Sequence, residues 1–400
     1  MDPVFPSIGA PGHWLSDEAI AACVEATLGA RDLGGSNVLA IIPDSTRTAP
    51  LRAVFQSLHE HLKRRNSRCD VMVALGTHAP MAEDAIRQRL GITLEERNSV
   101  YSDVAFLNHA WNDPSALRHL GTLSSAEIAS LSGGRFAMDV PVTANAKLLD
   151  YDHIVIIGPV FPHEVVGFSG GNKYLFPGVS GPEVLNFFHW LGAVITSPAI
   201  IGVARTPVRE VIDRAARMVP TPKSALCLVV ADGGIVGIFG GDVEPAWQSA
   251  TEHSAKHHIR TFDRPFSTVL ACAPTMYDEL WVGAKCMYKL EPVVADGGEL
   301  IIHAPHIDRI SIAHGAQIER IGYHCRDYFL GQWEKFREIP WGVLAHSTHV
   351  RGVGTFRDGI EHCRIRVTLS TGIPEETCKR IGLGYRNPES IDPESFAGRE

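Results

Sequence analysis

Apolar positions along this chain fall into short unbroken runs that alternate with longer amphipathic stretches, the pattern of a sheet with helices packed on its faces. Asn37-Val-Leu-Ala-Ile-Ile-Pro43, Cys69-Asp-Val-Met-Val-Ala-Leu75 and Asp152-His-Ile-Val-Ile-Ile-Gly-Pro-Val160 are the clearest runs. Their near-continuous apolar character predicts strands covered on both sides, as in parallel sheets. Ser16 is the predicted N-cap of a helix over Asp17–Ala26, Leu51–Leu62 carries the stripe of a second helix, and Met81–Leu90 reads as a third. In Ala225–Asp242 an Asp-Gly-Gly turn joins two apolar runs, which predicts a β-hairpin. Within 101–150, Phe136–Val142 is a predicted strand and Ala144–Leu149 a short helix, both read as scaffold.

A second series begins after Arg264-Pro265. Ser267–Ala273 and Glu299–Ala304 are predicted strands, Tyr277–Lys285 begins a helix, and Gly342–His346 and Cys363–Leu369 are strand-like runs. The expected fold class is α/β, with two α/β domains, a cleft between them, and the site on strand-end loops of the N-terminal domain. The expected division is residues 1–263, 264–385 and a polar, peripheral tail at 386–400. Four hundred residues are long for one core and suit two.

Composition narrows the function. Hydrophobic residues are 45% and charged residues 20%, with no run of eighteen apolar residues, so neither disorder nor a membrane span is expected. The first residues lack a basic segment followed by an apolar one, which predicts a cytoplasmic protein. A net charge of −8 without a Lys/Arg stripe argues against nucleic acid. Eight cysteines without a C-x-x-C pair read as reduced core thiols. His253, His257 and His258 lie on a polar helix and read as solvated rather than metal-binding.

Candidate chemistry concentrates where predicted strands end. Asp44 and Arg47 follow the first strand, His78 the second, and His163 to Lys173 the third, so three turns deliver polar residues to one rim of the sheet. Ser169, Gly170 and Gly171 permit the positive φ that lets backbone N–H groups converge on an anion, with Lys173 pointing at the same place. Ser180-Gly-Pro-Glu183 fits a capping box opening a helix in which His189 follows Leu185 by one turn and faces inward. Each feature also has a plainer reading: Asp44 or Ser45 as a helix cap, the glycines as an ordinary turn, His189 as a core histidine. Two histidines and a lysine gathered on one loop-helix unit make the chemical reading the stronger one, because buried polar groups cost stability unless used.

The residues Asp44-Ser-Thr-Arg47, Gly76-Thr-His78, His163, Gly-Phe-Ser-Gly-Gly-Asn-Lys173 and His189 resemble those of the nickel-pincer nucleotide-dependent lactate racemase family of α-hydroxyacid racemases and epimerases. The resemblance covers most of the chain, and the spacings of ten and sixteen residues from His163 through Lys173 to His189 match the family's central motif. It implies that Lys173 holds the cofactor covalently and that His189 is the nickel ligand. It implies further that His78 and His163 are an acid/base pair and that Asp44 and the Ser169, Gly170 and Gly171 amides hold the nucleotide. Arg47 and Lys285 would face the carboxylate of a small anionic 2-hydroxyacid, and cofactor-making enzymes would be partners. Trp281 and Val282 stand where lactate-specific members carry Tyr and Gln, which points to a different or larger acid. His303, His306 and His314 match no catalytic position and read as structural. The competing readings are a phosphotransfer enzyme, which lacks G-x-x-x-x-G-K-[ST] and paired magnesium carboxylates, and a non-catalytic carrier of the cofactor, which has no use for both His78 and His163.

Overall fold

A computed structural model describes residues 4–399 as a mixed α/β protein in two compact units. Of the described residues, the first comprises 4–163, 167–185 and 204–259, the second 164–166, 186–203 and 260–399.

The first unit contains strands β1 Val4–Ile8, β2 Asn37–Pro43, β3 Arg68–Ala74, β4 Phe106–Asn108, β5 Leu117–Leu123, β6 Val140–Asn145, β7 His153–Pro159, β8 Pro162–His163, β9 Gly167–Phe168, β10 Lys223–Ala231 and β11 Gly234–Gly241. Seven of them form one sheet in the order β1-β11-β10-β7-β2-β3-β4. From β10 to β4 all neighbours are parallel, and β11 and β1 close one edge antiparallel. The chain runs outward from β2 through β3 to β4, then returns to β7 on the opposite side of β2. The order therefore reverses between β2 and β7, where the loops after neighbouring strands diverge and leave room for a ligand. All seven residues of β7 are buried, and six of seven in β2. The apolar runs follow from that double coverage. Ser16 caps the helix Asp17–Gly29 by accepting from the Ala19 N–H, and the hairpin turn places Asp232 and Gly233 at φ +51° and +86°.

The second unit holds β12 Phe266–Cys272, β13 Val294–Ala304, β14 Gly354–Arg357, β15 Ile360–Cys363, β16 Arg366–Thr371 and β17 Gly384–Tyr385. Strands β12-β13-β16-β17 form a parallel sheet, and β14 pairs with β15 in a hairpin.

Three expectations need correction. Gly342–His346 is not a strand but part of the helix Trp341–Arg351. Every residue from Val343 to Val350 is buried, so no polar face marks the helical period. The strand expected at 136–142 starts only at Val140 and pairs antiparallel with β5; Ala146–Leu149 is a single 3-10 turn capped by Asn145. The helix expected from Tyr277 starts at Leu280 and divides into Leu280–Gly283 and Lys285–Leu290.

Candidate active site

Asp44 lies directly beyond β2, buried to 7% exposure. It does not cap the next helix, whose first residue, Arg52, follows Leu51 with no side-chain cap. Instead Oδ1 accepts from the Thr46 N–H at 3.1 Å and the Thr46 hydroxyl at 2.6 Å, and Oδ2 meets His78 Nδ1 at 2.5 Å. Burial pushes this carboxyl up, but the His78 hydrogen bond and charge, the Thr46 hydroxyl and the Arg47 cation together outweigh it and hold the group down at about 2. An ionised Asp44 accepts only, so His78 presents Nδ1–H to it, and in the neutral ring the lone pair is on Nε2. The His78 side chain is half exposed, at 51%. A histidine with one nitrogen anchored by a buried carboxylate and the other available is an oriented general base.

Arg47 shares the same turn. Its N–H donates to the Asp44 carbonyl at 3.4 Å, Nη1 donates to the Thr46 hydroxyl at 3.3 Å, and the guanidinium sits 5.8 Å from the centre of the Phe161 ring. Contacts of Asp44 with His78 and of Arg47 with Phe161 thus link the loops after β2, β3 and β7. In the structure Asp44 orients His78.

The loop after β7 is built around Ser169. Its hydroxyl donates to the Pro159 carbonyl at 2.9 Å and accepts from the Phe161 N–H at 3.0 Å, its own N–H goes to the Phe161 carbonyl, and its carbonyl accepts from Trp247 Nε1 at 2.7 Å. With its N–H on the Phe161 carbonyl and its hydroxyl and carbonyl also bonded, Ser169 staples the loop. His163 is buried in the two-residue pairing of β8 with β9.

Gly170 and Gly171 adopt φ +83° and +55°, as their residue type predicts. Packing requires glycine too. A Cβ on Gly170 would sit 2.5 Å from Val160 Cγ2, and one on Gly171 would sit 2.9 Å from the Arg209 guanidinium and 3.0 Å from Trp247. Beneath the pair, Arg209 is buried to 1%, donates to the Gly170 carbonyl at 3.1 Å, lies 3.5 Å from the Trp247 ring centre and faces Asp213 at 3.4 Å. Asp213 also accepts from Asn172 Nδ2 at 3.0 Å. Sequence reading missed this support. Its signal was an Arg-x-x-x-Asp pair on the apolar stripe of Pro207–Ala216. Lys173 is half-buried on the one-turn helix Gly171–Tyr174 that this platform carries.

The helix begins at Pro182, where proline's missing N–H costs nothing. The expected capping box is replaced: the Ser180 hydroxyl donates to the Gly181 carbonyl, and Glu183 accepts from Thr143. His189, half-buried rather than fully inward, stacks on Phe188 with ring centres 4.5 Å apart; it belongs to the second unit. Trp281 and Lys285 also belong to that unit. Trp281 is stacked on His346 at 3.7 Å and tilted against His314 at 4.4 Å, while Lys285 Nζ lies 5.1 Å from the Tyr277 ring centre. His346 is fixed by the Tyr288 and Tyr323 hydroxyls at 3.0 and 3.4 Å, and burial keeps it neutral. Among the described residues, no group of three or more His, Cys, Asp or Glu side chains is placed to hold a metal, and no helix is long and apolar enough to cross a membrane.

A family model described as the lactate racemase N-terminal domain matches residues 18–200, the span holding Asp44, Arg47, His78, His163, Lys173 and His189. Over that span the chain is similar to the lactate racemase N-terminal domain family. Two lactate racemases are similar: that of Thermoanaerobacterium thermosaccharolyticum is 23% identical over 71% of this chain and 62% of its own length, and that of Lactiplantibacillus plantarum is 28% identical over 53% and 46%. The chain thus spans less than two thirds of the curated relatives it matches. A crystal structure of a Thermotoga maritima protein superposes with a TM-score of 0.87 at 32% identity, covering 97% of this chain and 96% of that one. The lactate racemase apoprotein of T. thermosaccharolyticum shares the fold, with a TM-score of 0.72 at 19% identity over 94% of this chain and 86% of that one.

Proposed function

We propose that this protein is an isomerase that inverts the α-carbon of a 2-hydroxyacid, lactate or a larger acid, using a nickel-pincer nucleotide joined to Lys173. The observation that carries the reading is the anchored His78: a buried, ionised Asp44 holds one imidazole nitrogen at 2.5 Å and leaves the other to act as a base. A carrier has no use for that arrangement. The family-model match over residues 18–200 and two relatives named lactate racemase support the reaction class.

The residues fit the proposed cofactor in kind. Lys173 offers a primary amine on a turn fixed from below by Arg209 and Trp247, and the positive-φ glycines before it keep that turn narrow. His189 offers an imidazole, which suits nickel(II) in a square plane. When bound, the group supplies a hydride acceptor, needed because an α-hydrogen beside a carboxylate is too weakly acidic for histidine to remove. The protein's own work is with the hydroxyl proton and the carboxylate. His78 Nε2 takes the hydroxyl proton of one enantiomer while Asp44 stabilises the imidazolium formed. His163 does the same for the other. Arg47 offers a guanidinium fork to the carboxylate. Trp281 and Lys285 are the second unit's proposed substrate contacts, and Trp281, held by His346 and His314, is a rigid apolar wall.

The test is to incubate the cofactor-loaded protein with single enantiomers of a panel of 2-hydroxyacids in deuterated water. Loss of optical activity with the α-hydrogen largely retained supports the reading; complete α-deuteration points to a carbanion route and removes the need for a hydride acceptor.

A further inference from the structure

In the second unit the helix carrying His189 ends at Ile195, Thr196 follows at φ +92°, and the short turn Ser197–Ile200 begins. Ser197, Glu291, Arg326, Thr348 and His349 line a cavity here with about 20 Å³ for water-sized occupants. Five side-chain atoms of these lining residues are buried without a hydrogen-bond partner: Ser197 Oγ, Glu291 Oε2, Thr348 Oγ1 and both ring nitrogens of His349. Their residues are exposed by only 2%, 0%, 4% and 4%. Five buried polar atoms left unmet would together consume much of a domain's net stability.

The kinds of atom select the occupant. Burial holds the His349 imidazole low, at about 4, so the ring is neutral and has one N–H to give and one lone pair to fill. The two hydroxyls each need an acceptor. Glu291 Oε2 needs a donor, since its Oε1 already takes the Val353 N–H at 2.7 Å and faces Arg364 at 3.8 Å. Arg326 is engaged, with Nη1 on the Val194 carbonyl at 2.8 Å and Nε on Asp327. A cation leaves the hydroxyl and imidazole protons without an acceptor, and a halide serves neither Glu291 nor the imidazole lone pair. One His and one Glu fall short of a transition-metal set. Only a molecule that both donates and accepts meets the demand, and 20 Å³ fits one or two waters.

We propose that this cavity is a specific site for one or two buried water molecules. They join Ser197, and with it the turn after the His189 helix, to Glu291 and to the helix Trp341–Arg351. The site is independent of the proposed activity.

A crystal structure of the full chain, with separate bromide and rubidium soaks, tests the occupant. One or two peaks within hydrogen-bond reach of Glu291 Oε2 and His349, without anomalous signal in either soak, are expected. Amide hydrogen exchange tests the consequence. The Ile201 N–H rests on the Ser197 carbonyl at 2.9 Å. His349→Leu should speed its exchange about tenfold, the equivalent of one hydrogen bond, while His349→Gln, which keeps a donor and an acceptor, should change it by less than about threefold. Thr348→Val serves the same purpose if His349→Leu does not fold. A bromide or rubidium peak, an empty cavity, a direct Glu291–His349 hydrogen bond, or equal exchange in the Leu and Gln variants overturns the proposal.

Discussion

Asp44 in the first unit and Glu291 in the second are both buried carboxylates, yet their surroundings differ. Asp44 accepts from Thr46 twice and from His78, and is held down at about 2. Glu291 has one oxygen served by Val353 and the other unserved, and burial pushes it up from its ordinary value. The same split runs through the neighbours: Ser169 commits its hydroxyl, N–H and carbonyl within its own unit, while Ser197 leaves its hydroxyl unmet. A rim satisfied by the protein itself is positioned before any ligand arrives. A cavity of unmet groups depends on what fills it. The difference separates a preorganised rim, to which the proposed catalysis is assigned, from the proposed water site.

The largest effect should come from the one rim residue proposed to bond covalently. Lys173→Ala should abolish racemisation altogether, as measured by chiral chromatography of a single-enantiomer substrate. His78→Ala and His163→Ala come next, each lowering kcat about 10²–10⁴-fold while folding normally, because each removes a proton-transfer group. Parent-rate turnover in either variant would remove that histidine from the mechanism.

Asp44→Asn sharpens the comparison further. It keeps the shape but takes away the charge that fixes the His78 tautomer, so kcat should fall at least about tenfold with a smaller change in KM. It also has a pH signature. A carboxyl held below its ordinary range stabilises the fold above its unfolded pKa of roughly 3.8, and that contribution is lost as pH falls through about 2. The stability gap between parent and Asp44→Asn in urea unfolding should therefore be full at pH 6 and close toward pH 2. Ser169→Ala strands the Phe161 N–H and should cost about 1–3 kcal/mol in the same assay. The smallest effect concerns preference: Val282→Gln with Trp281→Tyr should shift the ratio of lactate to larger-acid turnover toward lactate, within about tenfold.

Much of the rim was legible in the sequence because double burial leaves its strands unbroken, and each break is followed at once by Asp44, His78 or His163. The glycine pair was legible from its residue type. What sits under it was not: Arg209 is 39 residues beyond Gly170, and only folding brings its guanidinium to that carbonyl. Nor did the sequence separate Ser169 as staple from Ser169 as ligand, since both roles ask for a small hydroxyl beside glycine. Trp341–Arg351 was misread for the opposite reason. A helix buried all round loses the polar face that betrays its period, and His346 and His349 went unseen with it.

The most direct measurement is the mass of the proteolytic peptide carrying Lys173, taken from protein co-expressed with cofactor-making enzymes and shown to racemise a 2-hydroxyacid. A covalent increment on Lys173, with nickel in proportion to activity, is the expected result. Racemisation by protein whose Lys173 peptide has its unmodified mass would contradict the account.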